Sequence, residues 1–159
     1  MPQRTPPKEV PYDLDAEESV IASLVLNPTL WDSVSKIVQA TDFYREKHGW
    51  LFTAIGKVFK RDGVKAVNQI TVCYQLSCDG LLEAVGGSAY LSSIIATLPT
   101  SVGCEWYAKI VAQTARARRA IRAGAQISAV AYADPANLDT TIAPILKELK
   151  PKKKGVEGL

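Results

Sequence analysis

The sequence predicts an all-α protein, a compact helical bundle head followed by a projecting antiparallel helical hairpin. Apolar side chains recur at helical spacing in five segments before residue 98, and no stretch alternates apolar and polar residues as a strand would. A sixth, proline-free segment, residues 105–133, would form a helix roughly 40 Å long. Because a compact domain of this size cannot cover such a helix on all sides, we expect part of it to project and meet a partner.

The composition is that of an ordinary globular protein. Of the 159 residues, 47% are hydrophobic and 22% are charged, so we expect one domain with a buried core, carrying an appendage. The net charge of +3 is only weak evidence for nucleic-acid binding, because much of it comes from a C-terminal lysine group. That group is Lys150, Lys152, Lys153 and Lys154.

The cysteines and the apolar runs favour a cytoplasmic protein. An odd number of cysteines (Cys73, Cys78 and Cys104) argues against a complete disulfide framework, and their spacing matches no metal site. We expect the three thiols to be buried as small hydrophobic groups. No apolar run after Met1 resembles a secretory signal, and none is long enough to span a membrane.

Changes in composition divide the chain into four parts. Residues 1–11 are rich in proline and should form a flexible arm. Residues 12–103 carry the helical segments of the globular head, and residues 104–149 carry the hairpin. Residues 150–159 should form a basic linker or a disordered tail.

The first helix of the head is predicted to begin near Asp13 or Asp15. An acidic cap, with Glu17 and Glu18 in the first turn, suits the positive end of a helix. An apolar stripe follows over residues 20–25, at the spacing of a core-facing helix.

Breaks in the apolar pattern place the other head helices. The Asn-Pro pair at residues 27–28 should stop the first helix and start a second. A third helix is expected over residues 46–60, and Asn68 should cap a fourth. Between them residues 64–67 should form an extended connector, and residues 81–87 a loop with a double-glycine turn before a fifth helix.

The hairpin is predicted from the long helix, the turn signal at residues 134–137 and a second helical segment over residues 138–150. Pro144 interrupts this second arm, and a proline in a helix interior costs about 3 kcal/mol. We therefore expect the return arm to be short, kinked or frayed, with Pro144 at the start of a new helix.

No group of residues indicates catalysis. His48, the only histidine, has no metal ligand at suitable spacing and is expected to be a surface or capping residue. Glu17 and Glu18 are explained by the helix dipole rather than as a general acid and base. The chain has no P-loop sequence, and the glycines at residues 86–87 should form a structural turn. The sequence therefore predicts no catalytic, cofactor-binding or metal-binding residue in this chain.

The long helix carries two distinct sides. One side bears small residues that permit close approach of another helix, among them Ala117 and Gly124. A different side bears a polar stripe, which is either a solvated face or a surface that contacts a partner or phosphates. The residues of this stripe are Arg118, Arg119, Arg122 and Gln126.

Four blocks of sequence resemble the N-terminal domain of DnaB-family replicative DNA helicases. Each block is weak alone, but the four occur in order at compatible spacing over residues 10–133. They are VPYDLDAEESVI at 10–21; DFYR at 42–45 with His48 and Leu51-Phe52; LLEAVGG at 81–87 with AYL at 89–91; and TLPTS at 97–101 with YAKIV at 107–111 and Arg118-Arg119.

The resemblance implies a non-catalytic collar domain of a replicative helicase. In that family the hairpins pair between neighbouring subunits, giving dimers and the homohexameric ring. The collar also docks the C-terminal domain of primase and, in some systems, a helicase loader. ATP and Mg²⁺ would belong only to a motor domain absent from these residues, and the full-length parent would be an ATP-dependent DNA helicase. DNA contact would be weak or indirect.

The resemblance also assigns roles to the sides of the long helix. The expected oligomer interface consists of Trp106, Tyr107, Ile110, Ala117, Ile121 and Gly124. The expected partner-docking surface consists of Arg118, Arg119, Arg122 and Gln126. The alternative function is a helical DNA-binding module that uses the basic residues of the hairpin and the tail.

Overall fold

In a computed structural model, which describes residues 8–98 and 100–150, the chain is built from α-helices joined by short turns. The helices are α1 (Leu14–Leu26), α2 (Trp31–Val34), α3 (Glu46–Asp62), α4 (Gln69–Cys78), α5 (Leu82–Val85), α6 (Gly87–Thr97), α7 (Cys104–Ala133) and α8 (Leu138–Leu149). No strand occurs within these residues, so the all-α prediction is confirmed. Most of the predicted N-terminal arm and the basic tail lie outside the described residues.

The described residues belong to two compact units. The head is Pro11–Ala115, and the second unit, here called the hairpin, consists mainly of residues 116–150. Helix α7 supplies its first turns to the head and the rest to the hairpin, where it is followed by a short turn and α8. None of the helices in the described residues combines the length and apolar character that a membrane span requires.

Side-chain caps fix the starts of two head helices as the sequence predicts. The Asp13 carboxylate accepts a hydrogen bond from the backbone N–H of Ala16 at 2.9 Å, which starts α1. The Asn68 side chain accepts from the N–H groups of Ile70 and Thr71, which starts α4. Each cap satisfies N–H groups that the first turn of a helix leaves without a partner.

The head core is a continuous apolar cluster drawn from every head helix. At its centre Leu24, Leu51, Ile55 and Leu91 are fully buried. Burying a side chain of this size contributes about 1.5–3 kcal/mol relative to leaving it in water. These residues occupy the apolar stripes of α1, α3 and α6, so the helical periodicity of the sequence located the core correctly.

An aromatic group closes one side of this core, and a glycine makes room for it. The Trp31 ring lies 4.8 Å from the ring of Phe52, centroid to centroid, and packs directly over Gly56 of α3. A Cβ atom at Gly56 would lie 2.6 Å from the indole. No side chain larger than hydrogen fits between α3 and Trp31 without a shift.

Three connections of the head differ from the sequence predictions. The second α-helix does not start at the Asn-Pro pair: the chain first makes a 3₁₀ turn at Pro28–Leu30 and then a single α-helical turn, α2. Of residues 64–67 only Val67 is extended, because Val64–Ala66 form a 3₁₀ turn. The loop expected at residues 81–87 contains the short helix α5, which Gly86 ends with a left-handed φ of 111°. Each of these segments is a single turn, which is too short to show helical periodicity.

The return helix α8 is more regular than predicted. It runs without a break from Leu138 to Leu149 and includes Pro144 in its interior, so the prediction that Pro144 starts a new helix is wrong. Pro144 has no N–H to donate to the carbonyl of Thr140, but Thr140 lies on an exposed turn where water can replace the missing donor. The apolar side chains of α8 therefore keep one face despite the proline.

The three cysteines are not all buried. Cys104 is buried at the start of α7, and burial raises the pKa of its thiol to about 11. Cys73 is half-buried, with a thiol pKa raised by the same cause, whereas Cys78 at the end of α4 is exposed. The prediction of three buried thiols is wrong for Cys78, because α4 turns that side toward solvent.

Candidate functional site

A polar network lies inside the head at the meeting of α1, α3 and α6. The side chains of Glu17 and His48 are fully buried, and His48 Nδ1 lies 2.6 Å from Glu17 Oε2. The second carboxylate oxygen of Glu17 accepts a hydrogen bond from the backbone N–H of Tyr44 at 2.5 Å. On the other side of the imidazole, His48 Nε2 lies 2.7 Å from the hydroxyl of Tyr90.

This network corrects two predictions from the sequence. His48 is not a surface residue, and Glu17 does more than complement the dipole of α1. Glu17 occupies the same side of α1 as Val20, Ile21 and Leu24, and His48 occupies the same side of α3 as Leu51, Phe52 and Ile55. Polar residues in an apolar phase are the signal that could have found this buried pair.

The expected oligomer interface falls into the two units. Trp106, Tyr107 and Ile110 belong to the head, where Tyr107 and Ile110 pack partly against its core and Trp106 is 68% exposed. In the hairpin Ala117 is half-buried, whereas Ile121 and Gly124 are exposed. A Cβ atom built on Gly124 meets nothing within 4 Å, so this stretch of α7 leaves room for another helix.

The structure does not place all four expected docking residues on one surface of α7. Arg119, Arg122 and Gln126 line a groove of about 210 Å³ that α7 forms with Ile145, Glu148 and Leu149 of α8. Arg118 is half-buried and does not line this groove. Three of the four residues thus face the return helix at one edge and solvent at the other.

The hairpin buries little of its own apolar surface. Among residues 116–150 only Ala123 is buried, and the half-buried Ile127, Ile142 and Leu149 mark the side on which α7 and α8 face each other. Ile121 is 51% exposed on a different side of α7, and Leu146 is 46% exposed on α8. Apolar side chains are therefore left for contact with another molecule.

No other feature of the described residues indicates chemistry. The histidine, cysteine and acidic side chains there form no group of three or more that could hold a metal ion. In the head Ile70 and Tyr74 are exposed one turn apart on α4, a helix without a charged residue. Ile70 and Tyr74 thus form a small exposed apolar patch on the head.

Comparison with known proteins places the chain in a family. Residues 9–113 match the family described as the DnaB-like helicase N-terminal domain. The chain is 33% identical over 132 residues to the replicative DNA helicase DnaB of Mycobacterium leprae (strain TN), and 34% identical over 122 residues to the replicative DNA helicase DnaC of Bacillus subtilis (strain 168). The alignments cover 83% and 77% of this chain but only 22% and 26% of those relatives.

Solved structures show the same fold. The N-terminal domain of DnaB helicase from Mycobacterium tuberculosis superposes with a TM-score of 0.81 at 31% identity, covering 88% of this chain and 99% of that one. A structure of a DnaB-like replicative helicase and its interactions with primase superposes with a TM-score of 0.72 over 89% of this chain and 32% of that one, at 17% identity, which shows the fold alone. The chain belongs to the DnaB-like helicase N-terminal domain family.

Proposed function

We propose that this chain is a non-catalytic collar domain of a replicative DNA helicase, which assembles with copies of itself and docks primase or a helicase loader. The observation that carries the proposal is the hairpin, which exposes Ile121 and an open Gly124 while burying only Ala123 among residues 116–150. A helix pair with so little core of its own is stabilised when a second apolar surface covers it.

The self-assembly role rests on the side of α7 that carries Ala117, Ile121 and Gly124. Small residues let two helix backbones approach closely, and the exposed isoleucine supplies apolar area to bury. A second copy of the chain offers the same surface, so a symmetric pair of hairpins covers both at once.

Self-assembly is tested by light scattering and sedimentation over a range of concentrations. We expect a dimer or larger species that Ile121→Glu shifts to monomer, because a charge would be buried in the interface. The matched control is Ile70→Glu, which places the same charge at an isoleucine that is 81% exposed on the head. A strictly monomeric wild-type chain at high concentration, or equal effects of the two variants, would contradict the proposal.

The docking role rests on the arginine-bearing side of α7. Arginine pairs with carboxylates through a planar fork and is enriched in interfaces between proteins. Arg119 and Arg122 lie at the exposed edge of the groove between α7 and α8, where an acidic partner could reach them.

Docking is tested by titration with the C-terminal domain of a cognate primase. Charge reversal of Arg119 and Arg122, the two exposed arginines of the groove, should weaken binding by about tenfold or more, as expected when a charge-assisted contact becomes repulsive. Arg116→Glu serves as the control, because Arg116 is an exposed arginine of the same helix outside the expected docking set. Unchanged affinity in the double variant would remove these arginines from the docking surface.

The alternative is a DNA-binding module. The exposed arginines of α7, Arg116, Arg119 and Arg122, recur every three residues and could contact phosphates. This function predicts affinity for single- or double-stranded DNA that falls steeply with salt. Absence of binding at low salt would exclude it in favour of protein contacts.

ATP hydrolysis by the full-length protein is part of the same proposal. The curated relatives are helicases by name, and this chain spans 22% to 29% of their length. We assign nucleotide turnover to a motor domain outside these residues, because the sequence contains no P-loop. Nucleotide hydrolysis by the purified chain should not exceed background.

A further inference from the structure

The buried network of the head makes more hydrogen-bonding contacts than its neutral side chains have protons. His48 Nδ1 lies 2.6 Å from Glu17 Oε2, His48 Nε2 lies 2.7 Å from Tyr90 Oη, and Tyr90 Oη lies 2.8 Å from Glu18 Oε1. All three distances are those of hydrogen bonds, so each contact needs a proton between its two atoms.

Counting donors shows the shortfall. An ionised carboxylate only accepts, a tyrosine hydroxyl donates once, and a neutral imidazole donates from only one of its nitrogens. A neutral His48 and Tyr90 together supply two protons for three contacts. Without a third proton, one pair of electronegative atoms would meet with lone pairs facing each other.

The phenol of Tyr90 does keep its own proton. Burial, with the hydrogen bond to Glu18 as a second cause, raises the pKa of Tyr90 well above its ordinary value. The side chain of Glu18 is 34% exposed, so water can solvate its carboxylate charge, whereas His48 and Glu17 are buried away from water. The missing proton is therefore placed in the contact between His48 and Glu17, either on the imidazole or shared with the carboxylate at 2.6 Å.

We propose that the head binds one additional proton in this network, and that this proton fastens α1, α3 and α6 to one another. With it, Tyr90 accepts from His48 and donates to Glu18, and all three contacts form. When the proton leaves at higher pH, Tyr90 must donate to His48 instead, and its contact with Glu18 is lost. The head then loosens at the junction of α1 and α6, independently of assembly or docking.

The charged neighbours of His48 favour this arrangement. From α1, Glu17 and Glu18 place carboxylate oxygens 2.6 and 3.9 Å from its ring nitrogens. On α3 the ammonium of Lys47 lies 3.4 Å from the centroid of the Tyr90 ring, and the exposed Arg45 precedes the helix. The positive charges of both side chains disfavour an additional proton on His48. Helix α6 contributes no charged side chain. The two carboxylates are the groups in nearest contact with the imidazole.

The protonation state can be read directly by NMR of the intact chain. Nitrogen-15 spectra of the imidazole, recorded at mildly acidic and at alkaline pH, should show both ring nitrogens of His48 protonated in the first condition and one proton lost in the second. Protection of α6 amides against hydrogen exchange, corrected for the intrinsic pH dependence, should fall about tenfold over the same range, equivalent to one hydrogen bond to a charged group. A His48 that carries a single proton throughout would overturn the proposal.

A variant at Glu18 distinguishes the effect of the additional proton from the effect of side-chain packing. In Glu18→Gln the amide can donate to Tyr90, which then donates to His48, so two protons on His48 and Tyr90 satisfy the network. We expect this variant to keep α6 protected at both pH values, with the pH dependence gone. In Tyr90→Phe the α6 amides should be less protected against hydrogen exchange at every pH, and their protection should no longer depend on pH.

The matched control is Glu83→Gln, which makes the same change at an exposed residue of α5. It should retain the pH dependence of the wild-type chain. A Glu18→Gln variant whose α6 protection still falls tenfold with rising pH would also overturn the proposal.

Discussion

The head and the hairpin use their sequences in opposite ways. Of the buried apolar side chains in the described residues, all but Ala123 lie in the head, which also buries Glu17 and His48 with their hydrogen-bond partners. The hairpin leaves its large apolar side chains either half-buried between α7 and α8 or exposed, as Ile121 and Leu146 are. The stability of the head is supplied by its own core, whereas the stability of the hairpin depends on contact with another apolar surface.

The difference in packing between the head and the hairpin should have its largest effect on stability when a leucine is truncated. Leu51→Ala should destabilise the head by about 2–5 kcal/mol, because it leaves a cavity at a fully buried position. Leu146→Ala in the hairpin removes a side chain that is 46% exposed and should cost less than about 1 kcal/mol. Chemical denaturation with hydrogen exchange followed by peptide measures both. Similar losses would show that the hairpin is as tightly packed as the head.

A pair of glycine substitutions should give effects of opposite sign. Gly56→Ala places a methyl group 2.6 Å from Trp31 and should destabilise the head by about 1–3 kcal/mol through overpacking. Gly124→Ala meets no neighbouring atom and should stabilise α7 by up to about 1 kcal/mol, as alanine does in a helix interior.

Thermal unfolding of the two glycine variants at low concentration supplies the measurement. Destabilisation by Gly124→Ala would mean that the surface near Gly124 is already covered. A Gly124→Ala chain that is more stable as a monomer but associates less would locate the covering helix at this glycine.

Within the head, the smallest of these losses is expected at a helix cap. Asn68→Ala removes the acceptor for the N–H groups of Ile70 and Thr71 and should cost about 1 kcal/mol. Exchange should rise first in the amides of α4 while the hairpin amides keep their rates. An equal rise in both units would contradict their independence.

The fold could be predicted largely from the sequence, because long amphipathic segments and capping residues are local signals. Asp13, Asn68 and the apolar stripe of α3 needed no knowledge of the rest of the chain. The misplaced residues depend on partners distant in sequence. His48 looked polar and exposed until Glu17, 31 residues earlier, was brought against it.

The candidate interaction surfaces could be predicted only in part. Periodicity distinguishes the sides of α7, but it cannot say which side the return helix occupies. The groove lined by Arg122 and Ile145 shows where α8 lies, and it leaves Ile121 on a free side. The partner remains a proposal because no local pattern specifies it.

The conformation of Gly86 restricts which substitutions this position can accept. Its φ of 111° already disfavours other residues, and a Cβ atom there would lie 2.9 Å from Cβ of Tyr90. Gly80 has a similar φ of 71° but open space around it. In a saturation library Gly80 should therefore accept asparagine, whereas Gly86 should accept nothing, since any replacement displaces the hydroxyl that reaches His48. The packing of the buried network thus limits substitution at an exposed turn as strictly as it does inside the head.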